Sequence, residues 1–384
     1  MNIQNIQDSF YNHFQHPSSI VVKSPGRINI IGEHTDYNDG FVLPAAINKA
    51  VYVAVSPRED NEIHLYAADF RELFQISVTD MQPAEKEWPN YILGVVDQLQ
   101  KRGLHVGGFN LFIDGDVPAG AGLSSSAAVE CATAFALNEL FSLDLSRIDI
   151  ARIGQLAEHT YVGVKCGIMD QFASVLSEKD QVFRLDCRSL TYEYFPLELG
   201  DYMILLLNTN VKHSLGDSQY NKRREKCELG VSWIREKYPE VKSLRDVTVE
   251  MLDEVVKNRD EDVYIKCRYV IEENLRVVAA CQAMEKGDLV SLGQHIYASH
   301  EGLSKAYQVS CEELDFLVDA SRVYPEVLGA RMMGGGFGGC TINLIKKDFS
   351  DQFIKEISES YQQQFGVSLT PYIVETADGT TRIA

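Results

Sequence analysis

The stretch best equipped to handle a phosphate is Pro118-Ala-Gly-Ala-Gly-Leu-Ser-Ser-Ser-Ala-Ala128. Gly120 and Gly122 carry no Cβ, so backbone amides can turn toward a ligand there. Ser124, Ser125 and Ser126 follow where a helix is expected to begin. The free N–H groups and the positive dipole end of that helix point into the same space. An anion fits such a place, most commonly a phosphate, although the same composition also makes an ordinary loop. No Gly-x-x-x-x-Gly-Lys-Ser/Thr surrounds the stretch, so no P-loop lysine is at hand to neutralise the charge. Two further stretches stand out. Gly26–Pro44 contains Glu33-His34-Thr35-Asp36-Tyr37-Asn38, a dense run of donors and acceptors that could equally be a solvated turn. Met332-Met-Gly-Gly-Gly-Phe-Gly-Gly-Cys340 is a second glycine loop.

These stretches need elements to hold them. Residues 1–17 suggest a helix with Ile3, Ile6, Phe10 and Phe14 on one face, followed by a strand at Ile20–Pro25 ended by Pro-Gly. Further strands are expected at Lys49–Val55, Glu62–Tyr66, Leu73–Val78 and Phe109–Asp114, with a helix at Trp88–Gln100 stopped by Gly103. Val129, Ala132, Thr133, Ala136, Leu137 and Leu140 recur at helical period after the serines, and another helix covers Ile148–Tyr161. Met203–Leu207 suits a buried strand, and the domain change is placed just before it, near residue 195. Beyond that point the pattern is mostly helical, with strands near Leu328–Met333, Thr341–Ile345 and Tyr372–Glu375, giving an α+β chain. No Gly-x-Gly-x-x-Gly follows the first strand, which leaves a Rossmann reading without support.

At 384 residues two domains are the natural expectation. Apolar content of 45% with 24% charged residues is that of a soluble globular protein. A formal net charge of −19 argues against nucleic-acid and anionic-membrane partners. It does not exclude a nucleotide, because Mg²⁺ and local cations can offset the field. No secretory signal or membrane-length apolar run is visible, and the eight cysteines are scattered singly. Reduced thiols in a cytoplasm, without a structural zinc site, are the expectation.

The three stretches resemble, in order, the three motifs of the GHMP small-molecule kinases. Gly26–Pro44 is similar to the sugar signature of those members that phosphorylate galactose, and the resemblance covers essentially the whole chain. It implies an N-terminal ribosomal-S5-domain-2-like domain over residues 1–195, a C-terminal ferredoxin-like domain over residues 196–384, and a site between them. The implied reaction is ATP-dependent phosphorylation of D-galactose at its C1 hydroxyl, giving galactose 1-phosphate and ADP, by a monomer with Mg²⁺ as cofactor. The alternatives are a sister kinase for N-acetylgalactosamine or arabinose, and a non-catalytic sensor that binds galactose and ATP. Such sensors are altered in the Ser-Ser-Ser-Ala stretch, which is intact here.

Residue by residue, the resemblance makes Asp170 the catalytic aspartate with Arg27 as its cationic partner. An arginine neighbour favours the ionised carboxylate, and whether that carboxylate abstracts the C1 proton or mainly positions the hydroxyl stays open. Glu33, His34, Asp36, Gly167, Asp170 and Tyr220 are implied at the sugar. Gly120, Gly122, Leu123, Ser124, Ser125 and Ser126 are implied at ATP, with Trp88 against the adenine, though a Trp opening a helix also serves as simple packing. Ser126 and Glu158 would hold Mg²⁺, an ion that prefers hard oxygens and keeps several waters. His159 reads as structural, Lys222 as part of a solvated basic face, and Lys212 falls where relatives carry a cation. Met333 stands where relatives carry a small hydroxyl residue, a departure expected to alter affinity modestly.

Overall fold

Alternation along one strand sets the architecture of the first half. In Pro44–Pro57, Val51, Val53 and Val55 face one layer while Ala50, Tyr52 and Ala54 face another. The computed structural model describes residues 2–118, 120–212 and 216–384, with the side chains of residues 212 and 216–218 outside the description. The Lys212 side chain and most of the segment leading to Tyr220 therefore lie outside the described residues.

The strands are β1 (Ile20–Asn29), β2 (Phe41–Val42), β3 (Pro44–Pro57), β4 (Glu62–Ala67), β5 (Glu72–Ser77), β6 (Phe109–Gly115), β7 (Gln181–Asp186), β8 (Thr191–Pro196), β9 (Tyr202–Lys212), β10 (Val327–Met332), β11 (Gly338–Lys346), β12 (Thr370–Val374) and β13 (Thr381–Arg382). The first sheet has the order β13-β1-β3-β6-β4-β5, antiparallel except for β4 beside β6. On one face lie the helices Glu87–Lys101, Ser125–Phe141, Arg147–Ala157 and Met169–Leu176, which bury Val53, Val55 and Leu111 against Val96, Cys131 and Phe172. On the other face Ile6 and Phe10, one turn apart on the helix Ile3–Phe14, cover Ala54 and Phe112. β2, β7 and β8 form a small antiparallel sheet.

The second half holds a four-stranded antiparallel sheet of order β10-β11-β9-β12. Helices separate β9 from β10 and β11 from β12, whereas β10 and β11 follow each other directly. This is the split β-α-β pattern of a ferredoxin-like domain. An apolar cluster joins the halves, with Ile28, Ile30 and Leu43 packed together with Leu206, Ile342 and Leu344.

Two details differ from the sequence expectation. β1 does not stop at Pro25-Gly26 but runs on to Asn29, with a register shift between Pro25 and Arg27. A bulge tolerates a proline that cannot donate to the ladder, and a Cβ on Gly26 would lie 2.7 Å from the Leu123 carbonyl. The continuation puts Arg27 on a strand beside the serine loop. The helix expected over Ile148–Tyr161 is α-helical for Arg147–Ala157 and then widens into a π turn, Glu158–Val162. Such turns often mark functional positions, and Glu158 opens this one.

Candidate active site

A cavity of about 650 Å³ opens between the halves, and every residue implied above in catalysis or at the sugar, ATP or Mg²⁺ lines it except Trp88. The helix Ser125–Phe141 starts at its wall. Its N-cap residue Ser124 has φ 57° and makes no capping hydrogen bond, so the side chain leaves the first helical N–H groups free for an anion. The Ser124 hydroxyl turns instead to Asp170 Oδ2, at 2.5 Å. Sequence alone had grouped this serine with the nucleotide loop.

Asp170 sits near the start of the helix Met169–Leu176 and is held from two directions. Arg27 donates from Nε to Oδ1 at 2.7 Å and from Nη2 to Oδ2 at 2.9 Å, a bidentate pair, while its Nη1 reaches the Gly122 carbonyl at 2.5 Å. Burial works against the charge on Arg27, but the carboxylates of Asp170, Glu33 and Asp36 more than compensate and raise its pKa. The arginine stays a cation. Oδ1 has one donor and Oδ2 has two, so Oδ1 keeps the greater capacity to accept from a substrate hydroxyl.

The loop between β1 and β2 supplies Glu33, His34 and Asp36. Burial, reinforced by the charges of Asp170 and Glu33, pushes the Asp36 carboxyl up to about 7. Near neutral pH it can therefore donate as well as accept a hydrogen bond. A Cβ on Gly167 would lie 1.7 Å from Asp36 Oδ2, so only glycine allows this approach. Gly167→Ala is expected to swing the Asp36 carboxyl out of place and raise the KM for the sugar that the resemblance sets against this loop roughly tenfold, the cost of one lost buried hydrogen bond. ATP KM should move little, and steady-state titration of both substrates checks this. Equal changes in both would mean that Gly167 supports the whole cleft.

Glu33 lines the cavity and is also tied to the second half through one carboxylate oxygen. Its Oε1 accepts from Arg331 Nη1 at 3.1 Å and from the Gly334 amide at 2.9 Å. Arg331, absent from the sequence-based set, has no exposed surface. It also donates to the carbonyls of Ile30 at 2.9 Å, Met332 at 2.6 Å and Asn29. It thus ties the end of β1 and the hydroxyl-rich loop to the second glycine loop. A lone arginine in the apolar run Val327–Met332 was the only signal in the sequence.

Tyr220 lines the cavity beside the loop between β1 and β2, with its ring centroid 5.2 Å from that of His34 and 5.3 Å from that of Tyr37. Met333 is buried in the apolar cluster between the halves, where a hydroxyl would find few partners. Trp88 stacks on Phe70 at 6.2 Å and donates from Nε1 to Glu72 at 3.2 Å, and it is not among the residues that line the cavity. His159 bonds the Cys166 carbonyl at 2.8 Å, a structural role.

Glu158 is nearly buried, and its carboxyl is pushed up to about 7 by burial and by the charge of Asp170, with a hydrogen bond from Ser126 opposing the shift. Gln171 Nε2 bridges Glu158 Oε2 at 3.1 Å and Glu130 Oε2 at 3.0 Å. Glu130 has no exposed surface, and burial together with Glu158 raises its pKa well above the usual range. Among the described residues no group of three or more His, Cys, Asp or Glu side chains converges as a metal cage. A carboxylate and a hydroxyl facing a phosphate site fit Mg²⁺, which completes its shell from phosphate and water.

Residues 8–57 match the family described as the galactokinase galactose-binding signature, 90–178 the GHMP kinases N terminal domain, and 280–363 the GHMP kinases C terminal. The chain is 43% identical over 364 residues to the galactokinase of Thermotoga maritima, covering 94% of this chain and 99% of that one. It is 40% identical over 389 residues to the galactokinase of Limosilactobacillus fermentum, with both chains fully covered. The crystal structure of Lactococcus lactis galactokinase complexed with galactose superposes with a TM-score of 0.95 at 34% identity, over 99% of this chain and all of that one. Methanococcus jannaschii mevalonate kinase shares the fold, with a TM-score of 0.67 at 16% identity over 94% of this chain and 98% of that one. With three motifs on one cleft and relatives matched along their whole length, the chain belongs to the galactokinases of the GHMP kinase family.

Proposed function

We propose that this protein transfers the γ-phosphoryl group of ATP to the C1 hydroxyl of D-galactose, giving galactose 1-phosphate and ADP. The observation that carries the reading is Asp170, clamped by Arg27 and Ser124 between the Glu33-His34-Asp36 loop and the open start of the helix Ser125–Phe141. The sugar would sit against Glu33, His34, Asp36, Gly167 and Tyr220. The phosphates would rest on Gly120–Ser126, with Trp88 packed on the adenine. Asp170 Oδ1 would accept the hydrogen bond of the C1 hydroxyl and aim its oxygen at the γ-phosphorus. As the new O–P bond forms and the bond to the β-phosphate oxygen breaks, the hydroxyl proton passes to that carboxylate. The transition state is loose, so this proton transfer can be late and positioning carries most of the effect. Arg27 and the helix N-terminus would stabilise charge on the transferred group. Ser126 and Glu158 would hold Mg²⁺, which when bound neutralises the phosphate oxygens.

The division at residue 195 and a monomeric state belong to the same reading, as does a cytoplasmic setting. All eight cysteines are free thiols, and no helix among the described residues is long and apolar enough to cross a membrane. ADP release measured across galactose, N-acetylgalactosamine and arabinose tests the substrate. Turnover is expected with galactose. Preference for another sugar would assign the protein to a sister kinase, and binding without turnover would make it a sensor.

Glu158→Gln tests the metal ligand. It removes a charge from one of two protein ligands, so the Mg²⁺ concentration for half-maximal rate should rise by about tenfold or more. An unchanged Mg²⁺ titration would leave Ser126 and the phosphates as the ligands.

A further inference from the structure

Behind the sugar-side loop runs a row of hydrogen bonds that the reaction scheme does not use. His34 Nδ1 lies 2.8 Å from the Tyr37 hydroxyl, which lies 2.9 Å from the Tyr307 hydroxyl, which lies 3.3 Å from Cys227 Sγ. Tyr307 and Cys227 have no exposed surface. The row passes from the loop after β1 to the π turn Gly302–Tyr307 and the helix Gly216–Arg235. His34 is held in the left-handed region, φ 62°, with Asn38 Nδ2 donating to its carbonyl at 3.0 Å. A non-glycine residue in that conformation is held there by its surroundings.

The other ring nitrogen, Nε2, is buried without a well-formed hydrogen bond, in a residue that lines the cavity. Burial pushes the His34 imidazole down to about 3, with the cations of Arg223 and Arg331 adding to the effect. The ring is therefore neutral, with one N–H and one lone pair. Which nitrogen carries the proton is decided by what faces each one. A tyrosine hydroxyl at Nδ1 can donate or accept. A phenol O–H donates more strongly than an imidazole N–H, and an imidazole lone pair accepts more strongly than a phenol oxygen. Tyr37 therefore donates to Nδ1, and the proton belongs on Nε2, the nitrogen left without a partner among the described residues.

We propose that Tyr37 and Tyr307 are positioning residues that fix the tautomer of His34, with Tyr37 donating to Nδ1 so that Nε2–H is offered as a donor to a sugar oxygen. Cys227 and Tyr307 supply the ordered end of the row from which Tyr37 takes its own hydrogen bond. A donor at that place recognises an acceptor. The sugar position it meets should tolerate fluorine, which accepts but cannot donate, better than hydrogen, which does neither. The inference rests on the sugar-site reading above.

The test uses the full-length protein labelled with ¹⁵N-histidine, whose long-range ¹H–¹⁵N spectra report the tautomer, with His34 assigned by its loss in His34→Gln. The Nε2–H form is expected in the wild type, and a shift toward Nδ1–H or a mixture in Tyr37→Phe and in Tyr307→Phe. In kinetics, Tyr37→Phe should raise the galactose KM about fivefold or more, the effect of one misplaced hydrogen bond, with a smaller change in kcat. It should also abolish the preference for fluoro- over deoxygalactose at the contacted position. An Nδ1–H tautomer in the wild type overturns the proposal, even if neither variant folds. So does an unchanged tautomer in a folded Tyr37→Phe. If the tautomer behaves as expected but His34→Gln leaves the galactose KM unaltered, the relay stands and the sugar-site reading fails.

Discussion

Asp170→Asn is expected to lower turnover by about 10²–10⁴-fold, the usual loss when a positioned acid–base group is removed, while the protein stays folded. Asparagine keeps the volume of the side chain and removes its charge. Its carbonyl can satisfy one arm of Arg27, but its NH₂ faces an Arg27 N–H in either orientation, and only in the Oδ2 place does it also meet the Ser124 hydroxyl, which can accept. Arg27 keeps the Gly122 carbonyl and the field of Glu33 and Asp36, which limits the cost to the fold. Turnover, thermal unfolding and galactose binding measured on one preparation separate the effects. Turnover within tenfold of wild type would remove Asp170 from the chemistry. Loss of turnover together with loss of the folded state would show a structural ion pair.

The second large effect is on stability. Arg331→Met should destabilise the protein by about 3–5 kcal/mol, the range for breaking a buried ion pair from one side. Methionine fills part of the volume but leaves Glu33 as a buried carboxylate whose remaining donor among the described residues is the Gly334 amide. The carbonyls of Asn29, Ile30 and Met332 lose a donor as well. Adding Glu33→Gln to Arg331→Met should recover part of the loss, because the uncompensated charge is gone. Denaturant unfolding of the two single variants and the double variant measures this coupling. Strict additivity would mean that the two side chains act independently and that the link between the loop and the second glycine loop carries no stability.

The π turn at Glu158 and the left-handed backbone at His34 and Ser124 belong to one pattern. Each is a local departure from regular geometry at a residue that faces the cavity. Strain of this kind persists only where packing holds it, and here the packing comes from elements distant in sequence. Tyr307 supports the Tyr37–His34 pair from 270 residues further along the chain, and Asp170 receives Ser124 from 46 residues away.

The sequence by itself determined the residue types of the cleft, because recognition of phosphate and of sugar hydroxyls needs particular groups close together on one short segment. Gly120, Gly122, Ser124, Ser125 and Ser126 stand together at a helix start, and Glu33, His34 and Asp36 share one loop, so each set is written locally. The same holds for the main strands and helices, whose apolar spacing is a property of a few consecutive residues. Only the tertiary structure decided which atoms meet. It carried β1 past Pro25 through a bulge, brought β13 from the end of the chain to β1, and turned Ser124 toward Asp170 rather than into the helix cap. It placed Trp88 against Phe70, and it gave Glu33 a buried arginine 298 residues away. These outcomes depend on the packing of Arg331, Tyr307 and Gly167 against residues far from them in sequence. Hydrogen bonds and close contacts of that kind act across space, and no local spacing encodes them.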